Sequence, residues 1–319
     1  MTSLIQFAPI YQERVWGGRG LATFLGRQLP GATPIGESWE IVDRPEAQSV
    51  VTTGEWAGKS LHELMTTYRA ELMGPAWPAG RPFPILVKWL DCRERLSLQV
   101  HPPASIAAQL GGEPKTENWY IAHAEPGAAV LAGLKDGVDA ARFRAALKDN
   151  TAESLVYRLP TVAGDSLLIR SGVMHAIDGG NLILEIQQNS DTTYRVYDWG
   201  RMGLDGKPRA MHVEQSLASL EANTAGTPSL VRTSEKKVIL ADCPEFRISR
   251  YQLAAGEKLG FRAGEEARLL AVTAGRIAVD GRELAMGDNA LLPFGGSYNF
   301  TARTESTVLV TDHFSSLEK

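Results

Sequence analysis

Two cysteines stand in 319 residues, Cys92 and Cys243, and they form no CxxC pair. A disulfide scaffold and a cysteine-rich zinc site are thereby excluded. An excess of one charge sign is missing as well. The 33 basic and 37 acidic residues leave a net charge of -4, which gives no overall field for a nucleic acid. Only a local basic site for a small anion stays open. No window approaches the roughly 18 apolar residues of a membrane helix. The opening MTSLIQFAPIYQERVWGG lacks a basic segment followed by an unbroken apolar run, so no secretory leader is expected. What remains is an ordinary globular composition, 44% hydrophobic and 22% charged, in a chain long enough for two cores. A cytoplasmic protein with neither a membrane nor a nucleic-acid partner is the expectation.

Glycine and proline punctuate short apolar runs along the chain. PILVKWL (84–90), LSLQV (96–100), AVLAGL (129–134), SLLIR (166–170), NLILEIQQ (181–188) and TYRVYDW (193–199) read as strands. Their length, flanking turn residues and β-branched or aromatic content favour strand over buried helix. Helices are fewer. GKSLHELMTTYRAELMG (58–74) predicts one helix, with Ser60 as N-cap and Gly74 as stop; 136–150 and 213–223 predict two more. Strands dominate without regular alternation with helices, which argues against a parallel doubly wound sheet and for a sandwich or barrel.

One internal repeat sharpens this. AGDSLLIRSGVMHAI (163–177) aligns without gaps on MGDNALLPFGGSYNF (286–300), each a Gly-Asp turn, an apolar strand and a Gly-containing turn. The repeat predicts two β-barrels of similar design, 1–235 and 236–319, with the boundary in the polar, turn-rich stretch 224–236.

The first copy places His175 where the second has Tyr298. Upstream, LSLQVHP sets Gln99 and His101 two apart on a predicted strand, hence on one face, with Val100 on the other. Glu117 follows at the head of another apolar run. Two imidazoles and a carboxylate are a common first shell for catalytic zinc, and Gln99 offers a further oxygen. His62, His123, His212 and His313 show no such arrangement, and the region around 267–281 carries no histidine.

This constellation resembles the cupin superfamily, whose first half-motif carries His and Glu and whose second carries a single His. More narrowly, the chain resembles the type I phosphomannose isomerases in their short bacterial form. The segments that carry the likeness are VWGG (15–18), IGESWEI (35–41), LVKWLDCRERLSLQVHP (86–102), KTENWY (115–120) and SGVMHAIDGGNLILEIQQNSDTTYRVYDWGR (171–201). The resemblance implies a mainly β fold: a cupin (jelly-roll) β-barrel with helical additions and a second, degenerate cupin-like barrel. It implies one zinc ion per chain at Gln99, His101, Glu117 and His175. Arg195 becomes the catalytic arginine, and Lys88, Ser97, Lys115 and Glu185 match positions that line the substrate pocket. Glu185 and Lys115 are both acid–base candidates, unranked. The implied substrate is a sugar phosphate, interconverted between mannose 6-phosphate and fructose 6-phosphate, by a monomer or homodimer. Two other readings stay open: another metal-dependent cupin enzyme such as an iron dioxygenase, and a non-catalytic sugar-phosphate-binding cupin.

Overall fold

The computed structural model describes residues 3–314, and the chain in it divides into two compact units. One takes the residues up to Ile10, Trp39–Val87 and the chain from Thr233 on; the other takes Tyr11–Ser38 and Lys88–Arg232. Neither is a single run of chain. Strands dominate both, in agreement with the expected mainly β, jelly-roll architecture.

The Tyr11–Ser38 and Lys88–Arg232 unit contains two sheets. The first uses β1 (Ile10–Gly18), β2 (Ile35–Ile41), β3 (Ile85–Cys92), and, farther along, Glu117–Ala124, Ser166–Ile169 and Asn181–Gln188. The second uses β4 (Leu98–Val100), with Ala129–Leu134, Val156–Pro160, His175–Ile177 and Tyr194–Tyr197. In chain order the later seven become β5 (Glu117–Ala124), β6 (Ala129–Leu134), β7 (Val156–Pro160), β8 (Ser166–Ile169), β9 (His175–Ile177), β10 (Asn181–Gln188) and β11 (Tyr194–Tyr197), after β4. The six-stranded order is β1-β2-β3-β10-β5-β8 and the five-stranded order is β11-β4-β9-β6-β7. The division into units passes through β2 and β3, leaving Ile35–Ser38 and Lys88–Cys92 here.

Alternation along the strands sets what each face does. On the five-stranded sheet Leu98, Val100, Leu131, Ala176, Tyr194 and Val196 point to one side. There they pack with Phe143 and Ala146 of the helix Ala140–Lys148 and Leu217 of the helix Val213–Glu221. The opposite face brings Val130, Ala132 and Ile177 against Trp119, Ile121, Leu167 and Ile183 of the other sheet. That shared layer is the core of this unit. The edge pair β1 and β2 approaches closely: a Cβ built on Gly17 would lie 2.4 Å from Gly36 N, so no side chain fits there. This explains the glycines in VWGG and IGESWE.

The other unit holds a five-stranded and a four-stranded sheet, from Lys237 to Asp312. Its core gathers Leu253, Leu270, Val272, Ile277, Tyr298, Phe300, Val308 and Val310. The single helix expected over 58–74 is two, Leu61–Thr67 and Arg69–Met73. Ser60 caps the first in a reciprocal capping box with Glu63, and Gly74 ends the second, as read. The break falls at Tyr68 (φ -117°, ψ 24°), after Thr66 and Thr67, where β-branched and aromatic residues weaken helix propagation. A short helix at Gly20–Leu25 was not anticipated. Among the described residues, no helix is long and apolar enough to cross a membrane.

Candidate metal centre and its cleft

Strand registry brings three of the sequence-derived residues side by side. Gln99 on β4 pairs with His175 on β9 to one side and with Arg195 on β11 to the other. His101 lies just past the end of β4, one residue beyond the predicted strand position. Glu117 opens β5 on the other sheet, opposite Gln187 of β10 and Ile169 of β8. The donor atoms of His101, Glu117 and His175 all fall within 4.8 Å of one another, and all three side chains are fully buried.

The hydrogen bonding orients these rings. His101 Nδ1 faces the Thr192 carbonyl at 2.8 Å, and His175 Nδ1 faces the Val173 carbonyl at 2.9 Å. A carbonyl only accepts, so each Nδ1 carries the proton and each Nε2 presents a lone pair. Those lone pairs point at a carboxylate: His101 Nε2 lies 3.3 Å from Glu117 Oε2, and His175 Nε2 lies 3.4 Å from Glu117 Oε1. Acceptor faces acceptor. His101 Nε2 and both Glu117 oxygens are buried without a hydrogen bond of acceptable geometry, although the Lys115 ammonium stands 2.6 Å from Oε2 as an ion pair. Buried acceptors without donors are costly unless a cation sits among them. The donor set therefore fits a metal ion, with the Thr192 and Val173 carbonyls fixing the tautomers as metal-bound histidines require.

Electrostatics agree. Burial lowers the His175 pKa to about 3, against the opposing charge of Glu117. Burial and the Lys115 charge lower that of His101. Both rings are neutral, as ligands must be. Burial works against the Glu117 charge, but Lys115 overcomes it and holds the carboxyl well below its ordinary range.

Beside this centre lies a cleft of about 410 Å³ lined by Gln99, Lys115 and Glu185. Lys88, Ser97 and Arg195 line it too, so every sequence-derived pocket residue is brought there. Glu185 receives the Trp119 indole N–H on Oε2 at 3.0 Å, and its Oε1 stands 3.6 Å from Lys115 and 3.9 Å from Lys88. Burial and then the Glu117 charge push its carboxyl up to about 6, against the pull of Lys115 and Lys88. For Lys115, burial disfavours the charge, but Glu117 and Glu185 more than offset it and raise the pKa.

Sequence reasoning missed four charged members of the cleft: Arg14, Glu37, Asp191 and Arg209. Arg14 grips Glu37 through two hydrogen bonds, 2.8 and 3.2 Å. Arg14 and Glu37 adjoin the glycines that let β1 and β2 approach, a signal that was available. Basic side chains outnumber acidic ones in the lining, five to three, which suits an anionic occupant. In the other unit, His313 was read as having no acid paired with it at cupin spacing. The fold brings Glu266 and the adjacent Asp312 to within 3.9 Å of it, all three only partly buried.

Residues 4–112 match the family described as phosphomannose isomerase type I, catalytic domain. A mannose-6-phosphate isomerase of Streptococcus mutans serotype c is 36% identical over 290 residues, 88% of this chain and 89% of the relative. The mannose-6-phosphate isomerase ManA of Bacillus subtilis strain 168 is 32% identical over 318 residues, 96% of this chain and 98% of the relative. The crystal structure of mannose 6-phosphate isomerase from Bacillus subtilis superposes with a TM-score of 0.85 at 27% identity, covering 98% of this chain and all of that one. Similarity of this extent, with the buried His101, Glu117 and His175 group in place, shows that the chain belongs to the type I phosphomannose isomerase family.

Proposed function

We propose that the protein interconverts mannose 6-phosphate and fructose 6-phosphate, with one zinc ion held by His101, Glu117 and His175. The observation that carries this is the set of buried acceptors, Nε2 against carboxylate at 3.3 and 3.4 Å, beside a cleft with a basic surplus. Imidazole and carboxylate donors with an open position suit catalytic zinc. Gln99 is the fourth candidate, since turning its amide over presents the oxygen to the centre. A bound cation supplies Lewis-acid polarisation of substrate oxygens, worth several kcal/mol.

The remaining work falls to the chain's own residues. Aldose–ketose exchange moves a proton between C1 and C2 through an enediol. Glu185 is the base: its Oε2 is fixed by Trp119 and its Oε1 faces the cleft lysines. A carboxyl pushed up to about 6 is ionised at neutral pH yet more basic than an ordinary glutamate. Lys115 keeps its proton and donates a hydrogen bond to the substrate oxygens on which charge develops. Lys88, Ser97 and Arg195 complete the substrate contacts.

The direct test is fructose 6-phosphate turnover by zinc-loaded and by chelated protein. Turnover should vanish on chelation and return with zinc. Activity indifferent to chelation would remove the metal from the reading, and an inert zinc-loaded protein would remove the reaction.

A further inference from the structure

The charged side chains of the cleft fall into two groups. In the first, Lys88 Nζ lies 3.5 Å from Asp191, 3.7 Å from Glu37 and 3.9 Å from Glu185. Lys115 Nζ lies 2.6 Å from Glu117 and 3.6 Å from Glu185. With Arg14 forked onto Glu37, four carboxylates meet three cationic side chains there, so each of these cations already has a carboxylate partner.

The second group is the reverse. Arg195 makes no ion pair with a carboxylate among the described residues. Its Nε donates to Ser97 Oγ at 3.2 Å and its Nη1 donates to the carbonyl of Ala210, next to Arg209, at 2.9 Å. Arg209 forks onto Asp198 through Nε at 2.7 Å and through Nη2. Asp198 is 6% exposed and also accepts from Arg201 Nη2 at 2.8 Å. Two guanidinium groups, Arg201 and Arg209, thus share one carboxylate, and the neighbouring Arg195 has none among the described residues. Arg195 Nη2 and Arg209 Nη1 make no hydrogen bond among the described residues, while both side chains line the cleft. Arg195 bears the mark of this crowding: burial and then Arg209 lower its pKa.

We propose that Arg209, aimed by Asp198, is a specificity-determining residue that joins Arg195 and Ser97 in holding the substrate phosphate. This rests on the isomerase reading and deepens it. Two guanidinium groups with free N–H donors and one hydroxyl match the three terminal oxygens of a phosphomonoester. Asp198 touches no substrate; it is a positioning residue that fixes the Arg209 fork. The lysine group, compensated by its carboxylates, then faces the sugar.

The test compares zinc-loaded full-length wild type with Arg209→Met, Arg209→Lys, Asp198→Asn and Lys88→Met. Two constants are read, KM for mannose 6-phosphate and the competitive inhibition constant for inorganic phosphate. Arg209→Met should raise both by roughly 10- to 100-fold, with the loss concentrated in KM rather than kcat. Arg209→Lys, which keeps charge without the fork, should recover part of the loss. Asp198→Asn should move both constants in the same direction by a smaller factor, which a merely structural role would not do selectively. Lys88→Met should leave the phosphate constant where it was. Unchanged constants in Arg209→Met, or a phosphate constant raised by Lys88→Met instead, would overturn the assignment. Should wild type bind phosphate through Arg209 yet fail to turn over mannose 6-phosphate, the anion site stands and the isomerase reading falls. Turnover with an Arg209-independent phosphate constant means the reverse. Arg209 is partly exposed, so its variants keep the test open if Asp198→Asn does not fold.

Discussion

The repeated segments build the same hairpin in both units, and their surroundings diverge. Gly164 (φ 94°) and Gly287 (φ 97°) both take the left-handed conformation that opens the turn. The following aspartate accepts the N–H three residues back in each copy, Asp165 from Val162 at 2.9 Å and Asp288 from Ala285 at 2.7 Å. A four-residue strand follows, Ser166–Ile169 or Asn289–Leu292. Across the ladder, however, Ile169 faces Glu117 where Leu292 faces Arg268, and His175 faces Gln99 where Tyr298 faces Phe261. The positions of Glu117, Gln99 and His175 thus correspond to Arg268, Phe261 and Tyr298. One unit gathers acceptors around room for a cation. The other carries a cation of its own, the Arg268 guanidinium 4.8 Å from the Phe261 ring centroid and 3.0 Å from Glu265. The hairpin sets the backbone, and the residues across the ladder decide whether it serves chemistry or packing.

The comparison breaks most sharply at His175. His175→Tyr copies the second unit into the first. It should remove the metal, measured as zinc per chain, and lower kcat by about 1,000-fold or more, since the metal supplies several kcal/mol. The fold should survive, because Tyr298 sits buried at the matching position and stacks with Phe300. Retention of zinc with full turnover would refute the ligand assignment.

Glu185 tests the next step. Glu185→Gln should lower kcat by roughly 100- to 10,000-fold without changing zinc content. Its raised pKa also predicts a stability change of definite sign. The folded carboxyl, at about 6, holds its proton over a window where the unfolded one, near its ordinary 4.5, has lost it. The stabilising contribution is therefore complete below pH 4.5 and lost as pH rises through 6. At pH 8 the buried charge opposes folding by on the order of 1 kcal/mol. Glu185→Gln should raise Tm relative to wild type more at pH 8 than at pH 5. A uniform shift across pH would contradict the buried-charge argument.

Much of this was readable before folding. The Gly-Asp repeat announced a shared turn and strand, because a left-handed glycine and an apolar run leave a local signature. His101, Glu117 and His175 were legible as a group through residue type and spacing, and the fold gathers them. Arg14, Glu37, Asp191 and Arg209 were not read, because each reaches the cleft through non-local pairing. Arg209 owes its aim to Asp198, eleven residues earlier, across a loop whose path no periodicity encodes. The break at Tyr68 was missed for the opposite reason: an apolar helical stripe outweighed the weak local preference of Thr66 and Thr67. The approach of Glu266 to His313 had no local signal, because the two lie 47 residues apart in the chain.

The second unit can be probed by removing its cation. Arg268→Met keeps the long apolar stem over Phe261 but deletes the charge that meets Glu265 and Glu266. A loss of about 1–3 kcal/mol in unfolding free energy is expected, from cation–π contact and a partly buried ion pair together. Turnover per folded molecule should hold, unlike any change at Glu117, its counterpart. Zinc-dependent activity falling in parallel with stability would mean the two units do not divide their tasks in this way.

The smallest effect sharpens the comparison at the turn itself. Asp165 and Asp288 make the same backbone hydrogen bond, so replacing either by Ala should remove about 1 kcal/mol for that charge-assisted contact. Asp165 does more. It is fully buried and accepts both Nε and Nη2 of Arg232 at 2.7 Å, whereas Asp288 is half-buried and makes the turn contact with Ala285. Since Arg232 is largely exposed, its charge regains water when the aspartate goes, and the extra loss should be about 1 kcal/mol rather than the larger penalty of a stranded buried ion. Urea unfolding should therefore rank Asp165→Ala below Asp288→Ala by that margin. Asp165→Asn, which keeps an acceptor for Val162 but not the charge, should fall between wild type and Asp165→Ala. Equal losses at the two turns would show that Arg232 adds nothing and that the hairpins are energetically as well as geometrically alike.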